Sequence, residues 1–425
     1  MSLALGIDIG TSGVRTAVTD EAGRVLSMRR TAHLSPSPER MDASLWWQVV
    51  KKCVADQTAA LTDHGHSGHD ITRIAICGTS GTVVLTDHAL RPVTRALMYN
   101  DAGFNDEAEI IARHAPKNHI TSGGGSALAR AMHLTQEDDN QRAAHLLHQA
   151  DFIAAKLMGR GGLSDHNNAL KTGFDPETET WPDWIDQVID PRLLPDVHPA
   201  SAPLGTIAPE RAKVLGLSPR AIIHAGTTDS TAAFLACAPL QAGIAVTSLG
   251  STLAIKTLSP RRIDDPRMGL YSHRIKDFWL AGGASNTGGA VLAAHFTSEQ
   301  LVSLSAQIDP KTPSSLDYYP LLRPGERFPI NDPNLSPRLT PRPQDDVDFL
   351  YGLLQGIARI EAQCYQTITD KGCPFPSQIF TAGSGAENPT WTAIRARALG
   401  ITPQVSSENE AAVGAARLTQ ISGSD

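Results

Sequence analysis

The constraint that narrows this chain most is a short pattern that occurs twice. Residues 3–9 form a continuous apolar run and end at Gly10-Thr11-Ser12-Gly13; residues 244–249 do the same and end at Gly250-Ser251-Thr252. In each, a run apolar enough for a strand buried on both faces is followed by a glycine, two hydroxyl residues and a second strand-like stretch. A third copy, Gly78-Thr79-Ser80-Gly81-Thr82, lies between two strand-like stretches of the first half. One echo per half, each leading a strand pair, predicts a duplicated α/β domain. At 425 residues the chain is also too long for one ordinary core.

The elements around these turns follow an α/β order. After the first strand, residues 14–19 and 24–30 alternate about the turn Asp20-Glu21-Ala22-Gly23, which predicts a hairpin. Asp42 stands at the N-cap position of a helix over 43–61. Strands are expected at 73–77, 82–86, 221–225, 253–256 and 379–382, and a last helix at 411–418. Trp46 and Trp47 sit on the first long helix, where core packing accounts for them. The tract His64-Gly65-His66-Ser67-Gly68-His69 reads as a solvated connector, because its glycines fix no metal geometry. The Pro- and Asp-rich stretch 309–346 reads as a long surface loop.

Composition excludes several classes. Charged residues make up 19% and net charge is −7, which removes the basic surplus a nucleic-acid binder needs. Five widely spaced cysteines with no Cys-x-x-Cys argue against a disulfide framework or a cysteine zinc site. No apolar run is long enough to span a bilayer, and the amino terminus reads as a strand rather than a signal peptide. The expectation is a cytoplasmic chain with no nucleic-acid or membrane partner, a monomer or a homodimer.

The turns carry chemistry of their own. Glycine lets a ligand approach the main chain, successive N–H groups form an anion nest, and hydroxyls add donors. A Gly-Thr-Ser turn between strands is therefore either a phosphate cradle or an ordinary hairpin. Asp8 just before it is either a turn carboxylate or, beside phosphate, a ligand of Mg²⁺. Asp229, in Ala225-Gly226-Thr227-Thr228-Asp229-Ser230, is either a helix cap or a general base for an attacking hydroxyl. Ala382-Gly383-Ser384-Gly385-Ala386-Glu387-Asn388-Pro389 is a strand-to-helix turn able to lie against a nucleobase or cap a phosphate. The P-loop pattern, a Gly-x-Gly-x-x-Gly, a His-Glu-x-x-His and a Gly-x-Ser-x-Gly are all absent.

Taken in order along the chain, these segments resemble the FGGY carbohydrate kinases of the actin, Hsp70 and sugar-kinase superfamily. Residues 6–13 resemble its first phosphate motif, 247–252 its second, and 382–388 its adenosine motif. The resemblance implies an α/β fold of two duplicated ribonuclease-H-like (actin-like ATPase) domains with a cleft between them. Residues 1–236 would form a sugar and first-phosphate domain, with 407–425 packing back on it, and 237–406 a nucleotide domain.

It further implies ATP and Mg²⁺ as cofactors and a small-molecule sugar as partner. Asp229 would be the catalytic base and Asp8 the metal residue. The sugar would meet Asp8, Ser12, Gly13, Ser80 and Asp229. The nucleotide would meet Gly10, Thr11, Ser12, Gly250, Ser251, Thr252, Gly383, Ser384, Gly385 and Asn388. Segments such as Asn168-Ala169-Leu170-Lys171 and Leu316-Asp317-Tyr318-Tyr319-Pro320-Leu321 resemble a compact D-ribulose kinase branch. Where other pentulose kinases tend to carry an aromatic-Asn/Asp-x-Arg clamp, this chain has Tyr99-Asn100-Asp101-Ala102. The implied reaction is phosphorylation of D-ribulose to D-ribulose 5-phosphate, with D-xylulose as the alternative acceptor. The alternative from another class is an actin- or Hsp70-like nucleotide switch with no sugar substrate.

Overall fold

A computed structural model describes residues 2–33 and 42–421. The chain divides into two units. The first comprises Met1–Ala236, His273–Lys276 and Glu410–Asp425; the second comprises Cys237–Ser272 and Asp277–Asn409. Of the tail expected to pack back on the first domain, residues 422–425 lie outside the described residues.

In the first unit, β1 (Leu3–Ile9), β2 (Gly13–Thr19), β3 (Val25–Ala32), β4 (Ile71–Gly78), β5 (Pro203–Thr206) and β6 (Ile222–Thr228) form a sheet in the order β3-β2-β1-β4-β6-β5. The pairs β1–β2 and β2–β3 are antiparallel; β1, β4 and β6 run parallel. Register places Ile9 beside Gly78 and Gly78 beside Thr228, so the three parallel strands end together. Asp8, the Gly78 turn and Asp229 therefore meet at one edge of the sheet, the carboxyl end where open α/β sheets build their sites.

Both faces of β1 are covered, and the period of two assigns them. Leu3, Leu5, Ile7 and Ile9 enter a core with α1 (Ala43–Ala60) and α2 (Gln149–Met158). Asp42 caps α1 by accepting from Ser44 N at 2.8 Å, and Trp46 and Trp47 lie inside that core. The opposite face meets α3 (Asp229–Cys237) and the last helix, Ala411–Leu418, through small residues. A β-carbon at Gly6 would stand 1.8 Å from the Ala412 carbonyl oxygen, so only glycine permits that close approach.

In the second unit, β7 (Ile244–Leu249), β8 (Leu253–Ser259), β9 (Phe278–Ser285), β10 (Gln378–Ala382) and β11 (Gln404–Val405) follow one another in the order β9-β8-β7-β10-β11. Again an antiparallel hairpin leads the sheet, and its first strand runs parallel to two later strands. The repeated topology is the duplication that the echoed turns predict.

Helix α4 (Asp346–Asp370), capped by Asp345, packs on β8 and β9 and on α5 (Pro389–Leu399). Residues 309–345 form no helix or strand of the sheet, as expected, yet they are not simply a surface loop. Tyr318, Leu321, Phe328 and Glu326 are buried, and Tyr318 and Pro320 press against Gly352 and Gly356 of α4. The stretch carries its own apolar anchors, which its Pro and Asp content conceals. The histidine tract folds into two short 3₁₀ turns, with Ser67 and Asp70 forming a capping box.

Candidate functional site

Each unit carries a cavity beside its glycine turn. In the first unit a cavity of about 400 Å³ is lined by Asp8, Gly10, Thr11, Ser12 and Asp229, with Arg15, Thr79 and Tyr99 among the other walls. Asp8 is only 4% exposed. It accepts from Arg15 Nη1 at 3.2 Å and from the Cys77 thiol at 3.7 Å, the residues its strand register places beside it. Burial pushes its carboxyl up to about 6, the charge of Asp229 adds to that, and Arg15 offsets part of it. Burial, reinforced by the second carboxylate on the same cavity, thus makes Asp8 harder to ionise than an ordinary aspartate.

Asp229 is the first residue of α3, and its Oδ1 accepts from Ser230 N at 2.7 Å. The helix-start role is compatible with a place on the cavity wall, where Asp229 is half-buried. Gly10 N donates to Gly13 O at 2.9 Å, which closes the turn, and Ser12 Oγ accepts from Arg30 at 3.3 Å.

Gly13, expected at the sugar, is off the cavity wall. A β-carbon there would be 2.3 Å from Thr31 O, so this glycine serves the approach of β2 to β3. Ser80 is also off the wall, and its hydroxyl is buried without a partner among the described residues. Its neighbour Thr79 is on the wall instead. Thr79 and Arg15 were not named as site residues from sequence, whereas Tyr99 opens the segment noted at the position of the sugar clamp of other pentulose kinases. Arg15 had a signal: a hairpin closing on Gly10–Gly13 pairs residues whose numbers sum to 23, which puts Arg15 opposite Asp8.

In the second unit a cavity of about 700 Å³ is lined by Gly250, Ser251, Ser384, Gly385 and Asn388, with Leu292, Leu301, Val302, Leu354 and Trp391 giving it an apolar floor. Polar groups at a strand-to-helix rim above a largely apolar pocket suit a flat base carrying an anionic tail. Thr252 is not on this wall; its backbone packs within 2.7 Å of where a Gly288 β-carbon would be. Gly383 is off it too, at φ +90° and against Leu249 O, a conformation and an approach that both require glycine. Asn388 touches the cavity with a side chain already used at both ends, accepting from Trp391 N at 3.0 Å and donating to Ser305 Oγ at 2.8 Å. It is the N-cap of α5. The pair Gly288-Gly289, missed in the sequence, closes on the turn through Gly289 N to Gly250 O at 2.8 Å.

Models of the FGGY family of carbohydrate kinases match this chain over residues 3–236 for the N-terminal domain and 245–422 for the C-terminal domain. The chain belongs to that family. It is a carbohydrate kinase, a phosphotransferase with an alcohol group as acceptor.

The xylulose kinase of Escherichia coli K12 is 24% identical to this kinase over 444 residues, covering 98% of this chain and 89% of its own. Among solved structures, the xylulose kinase of Rhodospirillum rubrum superposes with a TM-score of 0.85 at 23% identity, covering all of this chain and 90% of that one. Plasmodium falciparum glycerol kinase with ADP gives 0.82 at 16% identity, over 98% and 89% of the two chains. These structures show the actin-like ATPase fold for the kinase. No helix among its described residues is long and apolar enough to cross a membrane.

Proposed function

We propose that this kinase transfers the γ-phosphoryl group of ATP to the terminal hydroxyl of a ketopentose, with D-ribulose as the acceptor and D-ribulose 5-phosphate as the product. The observation that carries the reading is the placement of Asp8 and Asp229 on one open cavity, close enough for the charge of one to raise the carboxyl of the other. Phosphoryl transfer asks little covalent work of a protein; it needs the acceptor held, its proton taken late and the phosphate charge balanced. Asp229, partly exposed at the start of α3, takes the hydroxyl proton. Ser12 serves the sugar alongside Asp8 and Asp229, Ser80 lies behind the wall that its neighbour Thr79 forms, and Gly13 shapes the turn that carries Ser12. Gly10, Thr11 and Ser12 in the first unit, and Gly250 and Ser251 in the second, each form a turn with N–H and hydroxyl donors suited to phosphate. Ser384, Gly385 and Asn388 border the adenosine pocket, while Thr252 and Gly383 hold the two turns in shape.

Among the described residues no cluster of three or more His, Cys, Asp or Glu side chains is arranged to hold a metal. Two hard carboxylates beside a phosphate turn fit Mg²⁺, which keeps most of its waters and takes one or two protein carboxylates plus phosphate oxygens. Asp8 would hold it, directly or through water, and the ion would neutralise phosphate charge. We place the enzyme in the cytoplasm, as a monomer or homodimer.

The choice of D-ribulose is supported by the segments shared with the compact D-ribulose kinase branch and by Ala102, which stands where other pentulose kinases tend to carry arginine. D-xylulose is the second reading, favoured by the xylulose kinases among the relatives. A nucleotide switch without a sugar acceptor is disfavoured by the family. The test is a coupled ATP-consumption assay across ketopentoses, aldopentoses, polyols and glycerol. The highest kcat/KM is expected for D-ribulose; a clear preference for D-xylulose establishes the second reading, and a preference for glycerol or an aldopentose overturns both.

A further inference from the structure

Among the walls of the first-unit cavity are Thr79 and Tyr99, which are 20 residues apart. A single directed chain of hydrogen bonds connects them. Thr79 N donates to Gln149 Oε1 at 2.9 Å, and because a main-chain N–H can only donate, it fixes which end of the amide faces Thr79. The Thr79 hydroxyl lies 2.8 Å from the same oxygen and must donate to it. Its one proton being spent, it accepts from the Thr82 hydroxyl at 2.6 Å. Thr82 Oγ1 in turn accepts from Tyr99 N at 3.0 Å. The order is thus Tyr99 N–H to Thr82 to Thr79 to Gln149, with every proton assigned.

Gln149, Thr82 and Thr79 are at most 5% exposed. The turn is held a second time: Gln149 N donates to Thr82 O at 3.1 Å, and buried Arg130 donates to Gly81 O at 3.1 Å, to Asp101 O at 2.8 Å and to Gly125 O at 2.7 Å. Arg130 thereby ties the Gly78–Thr82 turn to the loop that follows Tyr99. None of this is needed to build the sheet, since Thr82 and Tyr99 lie outside its strands. Two buried polar atoms at the same turn, Gln149 Nε2 and Ser80 Oγ, have no partner among the described residues.

We propose that Gln149 and Thr82 are positioning residues for the acceptor sugar: they set the spacing of Thr79 and Tyr99, and with it the affinity for a polyhydroxylated substrate, while touching neither the reacting atoms nor the nucleotide. The proposal rests on the reading that this cavity takes the acceptor. Removing the relay leaves Asp8 and Asp229 in place, so the loss falls on acceptor KM rather than on ATP.

The experiment compares Thr82→Val, which keeps the shape and removes the hydroxyl, with Thr82→Ser, which keeps the hydroxyl and removes a methyl group. Gln149→Met, which removes the amide acceptor at similar length, provides a second break in the chain. Initial rates are measured with the best acceptor of the sugar screen and with ATP, alongside melting temperature and Asp229→Ala. Expected is a rise of about ten-fold in acceptor KM for Thr82→Val and Gln149→Met, the scale of one buried hydrogen bond to an ordered wall. ATP KM stays within two-fold, roughly the assay scatter, and Thr82→Ser stays near wild type. Unchanged acceptor KM in either folded breaking variant overturns the proposal, as does an equal loss in Thr82→Ser, which marks packing as the cause. If Thr82→Val does not fold, Gln149→Met decides. If instead Asp229→Ala remains active, the assignment of the cavity to the acceptor fails, and the relay proposal fails with it for that separate reason.

Discussion

The two glycine turns can be laid on each other with Gly10 on Gly250, and three of the differences change what the turns rest on. Asp8 aligns with Ser248, Ile7 with Thr247 and Gly6 with Val246. Asp8 is buried between Arg15 and Cys77, whereas Ser248 is exposed between Ala254 and Ala382. Gly6 admits the last helix onto its sheet; Val246 keeps a side chain there. Ile7 enters an apolar core, but Thr247 donates to Glu361 at 2.6 Å, and Glu361 is locked to Arg395 at 2.7 Å with both side chains at most 1% exposed. One backbone plan therefore yields two devices. The first turn holds a buried carboxylate over an apolar core, and the second is an uncharged turn over a buried ion pair.

The strongest break of that contrast is Asp229→Ala. If the chemistry resides in the first unit, kcat for sugar phosphorylation falls by about 10³-fold or more, the scale of a lost general base with its positioning. Calorimetric binding of ADP is expected to stay near wild type, because the pocket proposed for adenosine is lined by the second unit. Near-normal turnover would falsify the base assignment.

Next in size is Glu361→Gln, which leaves the Arg395 guanidinium buried without its counter-charge. Breaking one side of such a pair costs about 3–5 kcal/mol, since the remaining ion keeps its desolvation penalty. The comparison in the first unit is Ile7→Val, at the position aligned with Thr247, the partner of Glu361; it removes one methylene from an apolar core and costs about 1 kcal/mol. Urea denaturation of both variants measures the ratio; similar losses would mean that the two cores are not held differently.

Asp8→Asn sharpens the contrast in the opposite direction. The Asp8 carboxyl lies above its ordinary value in the folded chain, near 6, mainly through burial. The folded state therefore binds this proton more tightly than the unfolded state. Asp8 weakens the fold progressively as pH rises from about 4 through 6, and the full cost is present above that range. With no nucleotide or metal added, Asp8→Asn is expected to be more stable than wild type by about 2 kcal/mol at pH 7.5, with the difference vanishing near pH 4. The same variant loses most of its kinase activity. A variant that is less stable at pH 7.5 contradicts the account of Asp8 as a group kept at a cost for function.

Much of this plan was legible in the sequence where signals are local. The strand Ile244–Leu249 and the helix Ala411–Leu418 fall at the predicted bounds, because apolar runs and their punctuation lie within a few residues of each other. Asp8 and Asp229 were both picked out, and the parallel register of β1, β4 and β6 explains why residues 221 apart line one cavity. The walls were not legible. Tyr99 was noted only through the clamp segment it opens, while the bonds that place the walls, Thr79 to Gln149, 70 residues away, and the Tyr99 backbone to Thr82, leave no pattern. Glycines misled in a consistent way: Gly13 and Gly383 mark close backbone contacts beside the sites rather than their surfaces. Phe328 and Tyr318 were hidden because isolated apolar residues in a Pro-rich stretch have no period to read.

The smallest effect is expected from making the second turn resemble the first. Ser248→Asp places a carboxylate at the position aligned with Asp8 but without an Arg15, since the facing residue there is Ala254. Ser248 is exposed, so the new charge stays hydrated and the fold should lose no more than a few tenths of a kcal/mol. Its cost is felt by phosphate. An added negative charge beside an anion in a solvated turn is worth about 1 kcal/mol, which predicts ATP binding weakened several-fold, and more at low salt. Acceptor KM should not move, because Thr79, Tyr99 and Asp229 belong to the other unit. Titration of ADP into Ser248→Asp at two ionic strengths measures both parts. Unchanged affinity at low salt would mean that the Gly250 turn does not hold phosphate, and the likeness of the two turns would then be one of backbone alone.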